Sequence, residues 1–391
     1  MTQDVARTDW PVFPRRIAVL GATGTIGEKA LAVVEQYPGR FQVVSLAAGR
    51  ATPRLAEQAA RFGVPKVAFA TGEAGVAFPS GATVKRGGEA VAALAADPEV
   101  DLVLNGIVGR AGLEASLAAL RAGKMLALAN KESLVIAGEL LMNTAREHGG
   151  RVIPIDSEHS GLFQCLAGRG LDEVRRLYIT ASGGPFRTRP LADLHTVRPE
   201  EALRHPVWSM GPRITVDSAT LLNKGLEIIE THWLFGMASD AIHVWIHPQS
   251  VVHAIVEWQD GSLIAQLSTP DMILPVQYAM SLPERWERAA PVCRLPDWKE
   301  LVFEEPDPER FPSLAVARLA LARGGTAPAA LNAADEVAVD AFLNGRIGFL
   351  DIVPLVSRVV ENLRVRPADS LESIAAADTE ARDEARSLIR H

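Results

Sequence analysis

The chain has 391 residues, of which 48% are hydrophobic and 22% charged, so its composition is that of a folded protein with about two or three domains. A net charge of −7 lacks the basic excess that a general nucleic-acid surface requires. The only cysteines, Cys165 and Cys293, exclude a disulfide framework and argue against a thiolate zinc site.

The N-terminus and the hydropathy predict a cytoplasmic protein. Asp4 and Asp9 precede the first apolar run, residues 17–20, which is far shorter than the core of a signal peptide. No stretch of the sequence approaches the roughly 20 apolar residues of a membrane span. We therefore expect neither a membrane nor a nucleic acid as a partner.

Residues 15–155 alternate between short apolar runs and amphipathic stretches. We predict a helix after the first strand that ends near residue 37 and helices around 110–122 and 133–148, with strands at 16–20, 41–46, 101–104, 125–128 and 152–155. Strands separated by helices indicate a Rossmann-like parallel sheet covered on both faces. Ligands of such a sheet bind beyond the carboxyl ends of its strands.

The rest of the chain has a different pattern. Four runs predict a mixed or antiparallel sheet with long connections, at 176–181, 241–246, 251–258 and 262–267. We expect an α/β protein divided into an N-terminal Rossmann-like domain, a central α+β catalytic and connective domain, a proline-rich linker and a C-terminal helical bundle, at residues 1–155, 156–290, 291–311 and 312–391.

The segment GATGTIG, residues 21–27, follows the first strand and opens a helix. Its glycines let a backbone approach a pyrophosphate, and the N-terminus of the helix offers unpaired N–H groups and a positive dipole. Closely spaced glycines also occur in ordinary tight turns. The strand–turn–helix context favours dinucleotide binding.

The second strand is followed by Gly49 and Arg50 and has no carboxylate at its end. Enzymes that use NAD commonly place an acidic residue there to bind the ribose hydroxyls, whereas a cation suits the 2′-phosphate of NADP. NADP is therefore favoured. The alternative is that Arg50 is an ordinary surface residue.

Polar residues follow two further predicted strands. Asn130 and Ser133 belong to the cluster ANKES, which fits a cofactor or substrate contact equally well as a helix start with Asn130 as the cap and Ser133 solvated. Asp156 and Glu158 are two residues apart, so in an extended segment both point to one side. Converging carboxylates favour Mg²⁺ or Mn²⁺, and the alternative is a solvated acidic turn.

Small and hydroxyl residues recur in two later motifs. The loop TASGGPF, residues 180–186, could wrap a phosphate with its backbone N–H groups, although such sequences also form plain flexible turns. Residues 217–230 predict a capped helix with Asn223, Lys224 and Glu227 on one face, which could bind phosphate and metal or simply be solvated. Between the two motifs, the loop at 204–211 suits a lid over a ligand or a loop packed by its tryptophan.

The order of the motifs is more specific than any one of them: GATGTIG, LANKESLV, PIDSEHS, TASGGPF, HPVWSMG, DSATLLNKGLEIIE and HPQS. In this order and spacing the chain resembles the 1-deoxy-D-xylulose 5-phosphate reductoisomerases. The resemblance extends from about residue 16 to the helical C-terminus and includes the stretch LNAADE at residues 331–336.

The resemblance implies a set of site residues. The implied NADPH contacts are Thr23, Gly24, Thr25, Ile26, Gly49, Arg50, Ala51, Asn130, Glu132 and Gly211. The implied ligands of Mg²⁺ or Mn²⁺ are Asp156, Glu158 and Glu227. The implied substrate contacts are Lys131, Ser157, Glu158, Ser182, His205, Ser218, Asn223, Lys224 and Glu227, and the implied catalytic residues are Lys131, Asp156, Glu158, His205 and Glu227.

The resemblance also implies an activity. The expected reaction is the NADPH-dependent rearrangement and reduction of 1-deoxy-D-xylulose 5-phosphate to 2-C-methyl-D-erythritol 4-phosphate, in isoprenoid synthesis. A metal would chelate the substrate's hydroxy-ketone, residues 182–212 would form a mobile lid, and two copies of the chain would form a homodimer. Many family members have Asn where this chain has Ala51, which bears on the strength of its preference for NADP.

Two other classes of protein stay open at this point. An aldehyde dehydrogenase of the aspartate-semialdehyde type also begins with a GATG-like turn, but it needs a reactive thiol, and Cys165 lies in a segment that predicts an apolar helix. A non-catalytic NADP-binding sensor would have no need of three carboxylates and a phosphate site.

Overall fold

The computed structural model describes residues 10–72, 75–208, 210–287 and 290–389. Asp4 and Asp9, on which the expected cytoplasmic location rests in part, lie outside these residues. The chain divides into two compact units, the first made of Met1–Ser133, Leu141–Gly170 and Asp271–Pro291, the second of Leu134–Leu140, Leu171–Pro270 and Val292–His391. The finer division at residues 155, 290 and 311 stays a prediction.

Strands and helices alternate through the first half of the chain. In chain order they are β1 (Arg15–Leu20), α1 (Thr25–Gln36), β2 (Phe41–Arg50), α2 (Pro53–Arg61), β3 (Lys66–Thr71), β4 (Thr83–Arg86), α3 (Gly88–Ala95), β5 (Leu102–Asn105), α4 (Leu113–Arg121), β6 (Met125–Leu128), α5 (Lys131–His148), β7 (Arg151–Pro154) and α6 (Ser157–Cys165).

The seven strands of this half form one parallel sheet in the order β4-β3-β2-β1-β5-β6-β7. Leu20 pairs with Asn105, Asn105 with Leu128, and Leu128 with Pro154, so the carboxyl ends of four strands meet at one edge. Strands β5 and β6 are buried along their whole length, as expected for a sheet covered on both faces. The predicted Rossmann-like sheet is confirmed.

The sequence analysis did not assign β3, β4, α2 or α3. Strand β4 has the sequence TVKR and is mostly exposed at the edge of the sheet, so it lacks the apolar run that marked the central strands. Strand β2 extends to Arg50, beyond the predicted end at residue 46, because its small residues Ala47 and Ala48 continue the buried ladder.

A second set of elements follows: β8 (Val174–Ala181), α7 (Pro199–Ala202), α8 (Pro212–Thr220), α9 (Leu222–Phe235), β9 (Ile242–Ile246), β10 (Val252–Trp258), β11 (Leu263–Leu267), α10 (Ile273–Ser281), α11 (Ser313–Arg323), α12 (Ala327–Leu343), α13 (Ile352–Asn362) and α14 (Leu371–Ile389). Helix α10 belongs to the first unit, where it packs on α1 and α6. All the others belong to the second unit.

The sheet of the second unit has four strands in the order β11-β10-β8-β9. Strands β8 and β9 are parallel, and β10 is antiparallel to β8 and β11, so the mixed alternative is confirmed. Beyond residue 312 the chain is helical, as predicted, and α9 packs with the helices α11–α14 around one apolar core that includes Leu226, Ile229 and Phe342. The stretch between α10 and α11 contains a β-bridge from Glu304 to Ile246 and, among its described residues, a short 3₁₀ helix, Leu295–Asp297.

Two local predictions are wrong. Asp156 and Glu158 do not share an extended segment, because Asp156 is the N-cap of α6 and Glu158 lies in the first turn of that helix. Residues 217–230 are not one helix, because Leu221 adopts a left-handed backbone with φ 56° and separates α8 from α9. Among the described residues, no helix combines the length and the apolar character needed to cross a membrane.

Helix α5 is kinked at Ala137, within the stretch Leu134–Leu140 that belongs to the second unit. Ala137 has φ −141° and ψ 32°, which interrupts the helical geometry. The next residue, Gly138, touches the indole of Trp233 so closely that a Cβ atom there would lie 2.2 Å from the Cδ1 atom of the ring. The absence of a side chain at residue 138 therefore allows α5 and α9 to pack together within the second unit.

We predict that Gly138→Ala lowers the free energy of unfolding by about 1–3 kcal/mol, because a large, rigid ring must move to admit the new methyl group. The matched control is Gly88→Ala at the start of α3, where nothing lies within 4 Å of the added Cβ. That control should be neutral or stabilising by up to about 1 kcal/mol, since alanine reduces the entropy of the unfolded chain. Urea unfolding measures both, and equal midpoints for the two variants would contradict the packing argument.

Candidate active site

The glycine-rich turn after β1 is fixed to its neighbours by the backbone. The N–H groups of Gly21 and Ala22 both donate to the carbonyl of Ala47, at 2.9 and 2.8 Å. The side chain of Gln58 donates to the carbonyl of Ala22 at 3.0 Å. The turn is therefore held rigidly against β2 and α2 at the carboxyl edge of the sheet.

The glycines of the same turn differ in their surroundings: Gly27 is packed closely against the backbone of the turn, whereas Gly24 is exposed. A Cβ atom on Gly27 would lie 2.4 Å from the carbonyl oxygen of Gly21, so no side chain fits there. Gly24 is exposed and is the N-cap of α1, and a Cβ atom on it would have its nearest neighbour at 3.3 Å. The first-turn N–H groups of α1 thus have no side-chain cap at Gly24, which fits the pyrophosphate of a dinucleotide.

The neighbouring predicted cofactor residues lie at the same edge of the sheet or at a helix start. Thr25 is exposed in the first turn of α1, and Gly49 and Arg50 are exposed at the end of β2. An exposed guanidinium at this strand end fits a 2′-phosphate. Gly211 belongs to the second unit, where it is the exposed N-cap of α8.

Asn130 caps the N-terminus of α5, which confirms one of the two interpretations of the ANKES cluster. Its Oδ1 atom accepts from the N–H of Ser133 at 3.1 Å, and its amide donates to the carbonyl of Gly109 and to Glu132. Ser133 is fully buried, so the expectation that it is solvated is wrong. Both Asn130 and Glu132 are buried, and their contact with a cofactor stays a prediction.

Lys131 and Asp156 form a close ion pair in the first unit. Lys131 begins α5 after β6, Asp156 follows the neighbouring strand β7, and the Nζ–Oδ2 distance is 2.5 Å. Both side chains are largely buried, with 12% and 13% exposure. The alternative of a solvated acidic turn is therefore excluded, and the Asp156 carboxylate faces a cation.

Glu158 is the second carboxylate of this segment. Its Oε2 atom accepts a hydrogen bond from the hydroxyl of Ser157 at 2.6 Å. Asp156 precedes α6 and Glu158 lies in its first turn, where the helix dipole favours negative charge. The segment thus presents two oxygen donors of the type that Mg²⁺ and Mn²⁺ bind, so its chemistry fits such an ion.

His205 lies between two serine hydroxyls in the second unit. Its Nε2 atom is 3.0 Å from the Oγ atom of Ser182 and 3.1 Å from that of Ser218. Its Nδ1 atom accepts from the N–H groups of Val207 and Trp208, at 3.1 and 2.8 Å. An Nδ1 that accepts two hydrogen bonds carries no proton, so the neutral ring has its proton on Nε2 and donates toward the serines.

Burial lowers the pKa of His205 to about 4. The lowered pKa agrees with the hydrogen bonds of the ring. A proton on Nδ1 would face two backbone N–H groups and would be repelled by them, so the charged form of His205 is disfavoured. His205 is therefore a neutral hydrogen-bond donor near neutral pH. The predicted lid, residues 182–212, includes this loop, and its Ser209 lies outside the described residues.

The start of α9 carries the other predicted phosphate and metal residues. Lys224 donates to the Oε2 atom of Glu227, and the amide of Asn223 donates to Oε1 at 2.6 Å. Lys224 and Glu227 are only 4% and 1% exposed, so the interpretation as a solvated surface pair is wrong. A buried charge is costly unless an opposite charge pairs with it. Buried ion pairs of this kind are often found at functional sites.

The sequence analysis missed Asn105, which is fully buried at the carboxyl end of β5. Its amide donates to the carbonyl of Gly112 and the hydroxyl of Ser116, and its Oδ1 atom accepts from the N–H of Ile107. It thus orders the loop that follows β5 at the ligand edge of the sheet. A single amide at the end of the apolar run 102–104 is the signal that could have revealed it.

Cys165, the thiol that an aldehyde dehydrogenase mechanism would require, ends α6. Burial raises the pKa of its thiol to about 11, so the nucleophilic thiolate is scarce at neutral pH. This environment argues against a mechanism through Cys165.

Three family models match successive parts of the chain. They are "1-deoxy-D-xylulose 5-phosphate reductoisomerase" at residues 17–138, "1-deoxy-D-xylulose 5-phosphate reductoisomerase C-terminal domain" at 152–235 and "DXP reductoisomerase C-terminal domain" at 267–384. A protein of Anaeromyxobacter dehalogenans named 1-deoxy-D-xylulose 5-phosphate reductoisomerase is 50% identical over 380 residues, which cover 96% of this chain and 97% of that protein.

Solved structures agree with these matches. The reductoisomerase from Zymomonas mobilis in complex with NADPH superposes with a TM-score of 0.89 at 42% identity, covering 96% of this chain and 99% of that one. A DOX-P reductoisomerase in complex with NADPH, fosmidomycin and magnesium gives 0.90 at 37% identity, covering 96% and 98%. Because relatives of this identity match along nearly its whole length, the chain belongs to the 1-deoxy-D-xylulose 5-phosphate reductoisomerase family.

Proposed function

We propose that this chain catalyses the NADPH-dependent rearrangement and reduction of 1-deoxy-D-xylulose 5-phosphate to 2-C-methyl-D-erythritol 4-phosphate with the help of a divalent metal. The observation that carries the proposal is the match of 96% of the chain, at 50% identity, to a reductoisomerase. The buried ionic and serine–histidine clusters support it, because a protein that only bound NADP would not need them.

Asp156, Glu158 and Glu227 are the residues that would hold the metal. All three offer carboxylate oxygens, which suit Mg²⁺ and Mn²⁺, and a related enzyme has been solved with magnesium. When bound, the cation supplies Lewis acidity to the substrate's carbonyl oxygen. Lys131 favours the ionised form of Asp156, because its ammonium lies 2.5 Å from that carboxylate.

The donors of the second unit suit the substrate's phosphate. Ser182 and Ser218 offer hydroxyls beside the neutral Nε2–H of His205. Lys224 offers a positive charge and Asn223 an amide in the first turn of α9, where backbone N–H groups also favour an anion. Binding of a remote phosphate would orient the reacting end of the sugar and lower the entropy cost of the reaction.

The first unit suits NADPH, which supplies the hydride when bound. The turn with Thr23, Gly24, Thr25 and Ile26 would hold the pyrophosphate, and Gly49, Arg50 and Ala51 would line the ribose phosphate. The buried Asn130 and Glu132, and Gly211 at the start of α8, would complete the contacts. A homodimer in the cytoplasm, and manganese as an alternative to magnesium, are further parts of this proposal.

The direct test follows the absorbance of NADPH with 1-deoxy-D-xylulose 5-phosphate as the substrate, with added Mg²⁺ and with a chelator. We expect oxidation of NADPH that requires both the sugar phosphate and the metal. Reactions without sugar and without metal are the controls, and mass spectrometry identifies the product. If NADPH were not consumed under any of these conditions, the proposed function would be wrong.

We predict that Arg50→Ala weakens the use of NADPH far more than that of NADH. Loss of a charge-assisted contact to the 2′-phosphate should lower kcat/KM for NADPH by the equivalent of roughly 1.5–3 kcal/mol. Steady-state kinetics with both cofactors measures the difference. Arg54→Ala, which removes an exposed arginine of α2 paired with Glu28, is the control and should change neither value. Equal losses for both cofactors would remove Arg50 from the 2′-phosphate site.

We predict that Lys224→Ala raises KM for the sugar phosphate and weakens inhibition by inorganic phosphate. A charge-assisted hydrogen bond to an anion contributes about 1.5–3 kcal/mol, so both constants should change by roughly tenfold or more, whereas KM for NADPH should hardly change. The control is Lys66→Ala, a partly exposed lysine paired with Asp97 in the first unit. Unchanged phosphate inhibition in a folded Lys224→Ala enzyme would refute the assignment.

A further inference from the structure

Arg213 in the first turn of α8 reaches three residues of α12. Its guanidinium lies 2.7 Å from Asp335, 2.8 Å from Glu336 and 2.8 Å from the side-chain oxygen of Asn332. The arginine is only 20% exposed and Asp335 is fully buried. A planar guanidinium that donates to several largely buried acceptors fixes the position and orientation of its helix more strictly than a surface ion pair does.

Arg213 also meets a carboxyl group of its own helix. Asp217, one turn after Arg213 on α8, is also buried, and its Oδ2 atom lies 3.5 Å from the Nε atom of the same arginine. Burial raises the pKa of Asp335, whereas the charge of Arg213 lowers it.

The network continues to α14, the last helix of the chain. Arg382 lies 2.5 Å from Glu336 and 2.9 Å from Asp378. The charged groups that face one another are therefore Arg213 and Asp217 from α8, Asp335 and Glu336 from α12, and Asp378 and Arg382 from α14. Together they join α8 to the helical bundle within the second unit.

Helix α8 is where this network meets the proposed phosphate site. Ser218 directly follows Asp217, and its Oγ atom lies 3.1 Å from Nε2 of His205. Gly211, the N-cap of α8, lies within the predicted lid, residues 182–212. We infer that Arg213, held by Asp335 of the helical bundle, is a positioning residue that sets α8 so that Ser218 meets the substrate's phosphate. This inference rests on the proposed function.

The test is Arg213→Ala, with inorganic phosphate and the sugar phosphate as probes. We expect KM for the sugar phosphate and the half-saturating phosphate concentration to rise by about tenfold or more, because small displacements of binding groups are costly. The value of kcat should fall less. The control is Arg323→Ala, which removes contacts from α11 to the carbonyls of Glu361 and Leu363 in the same unit. It should lower thermal stability without changing either constant.

Two further variants separate positioning from folding. Asp335→Asn keeps the shape of the side chain and an oxygen that accepts from Arg213, so both constants should stay within about twofold of the parent. The double variant Arg213→Met with Asp335→Asn removes the ion pair between α8 and α12 without leaving a charge on the fully buried residue 335, so it should fold and still show weakened phosphate binding. Wild-type constants in a folded double variant would overturn the inference.

Phosphate binding is measured as a shift of the unfolding temperature and needs no turnover. A parent enzyme inactive on the sugar phosphate would therefore defeat the proposed function, whereas the comparison of phosphate shifts would still decide whether Arg213 positions α8. A parent that is active, together with a phosphate shift unchanged in Arg213→Ala, would defeat the positioning role alone.

Discussion

Buried carboxylates need a cation close by, and most of the candidate site depends on this constraint. Asp156 is paired with Lys131, Glu227 with Lys224, and Asp335 with Arg213, each within its own unit. Removing one partner of such a pair would leave an uncompensated charge in the interior, which costs several kcal/mol. A metal bound as proposed would compete with Lys131 for oxygens of Asp156 and with Lys224 for oxygens of Glu227.

The proposed phosphate site follows the opposite principle, because its hydrogen-bond donors are largely neutral. His205 is held as a neutral ring by backbone donors on Nδ1 and by burial, which lowers its pKa to about 4. Its Nε2–H, the hydroxyls of Ser182 and Ser218 and the single ammonium of Lys224 then offer hydrogen bonds with little excess charge. Such a set can bind a phosphate without a large positive cluster, which agrees with the acidic composition of the chain.

The sequence predicted the parts of this structure that depend on local pattern. Buried strands appeared as apolar runs, and the polar residues that follow β1, β6 and β7 lie at the same edge of the sheet, as parallel pairing requires. Glu158 was misplaced because an Asp-Ser start can cap a helix as readily as continue a strand. The break at Leu221 was missed because nothing in a leucine signals a left-handed backbone. The bond from Arg213 to Asp335 spans 122 residues and left no local signal at all.

The central proposal is that Asp156 and Glu227 are ligands of a divalent ion, and calorimetric titration with Mn²⁺ tests it most directly. The proteins to compare are the parent, Asp156→Asn, Glu227→Gln and a control, Glu257→Gln, whose buried carboxylate on β10 pairs with Tyr178 and Arg175. The account predicts that each of the first two changes weakens Mn²⁺ binding by about tenfold or more, equivalent to at least about 1.4 kcal/mol, while the control does not. Unchanged Mn²⁺ affinity in a folded Glu227→Gln protein would contradict it.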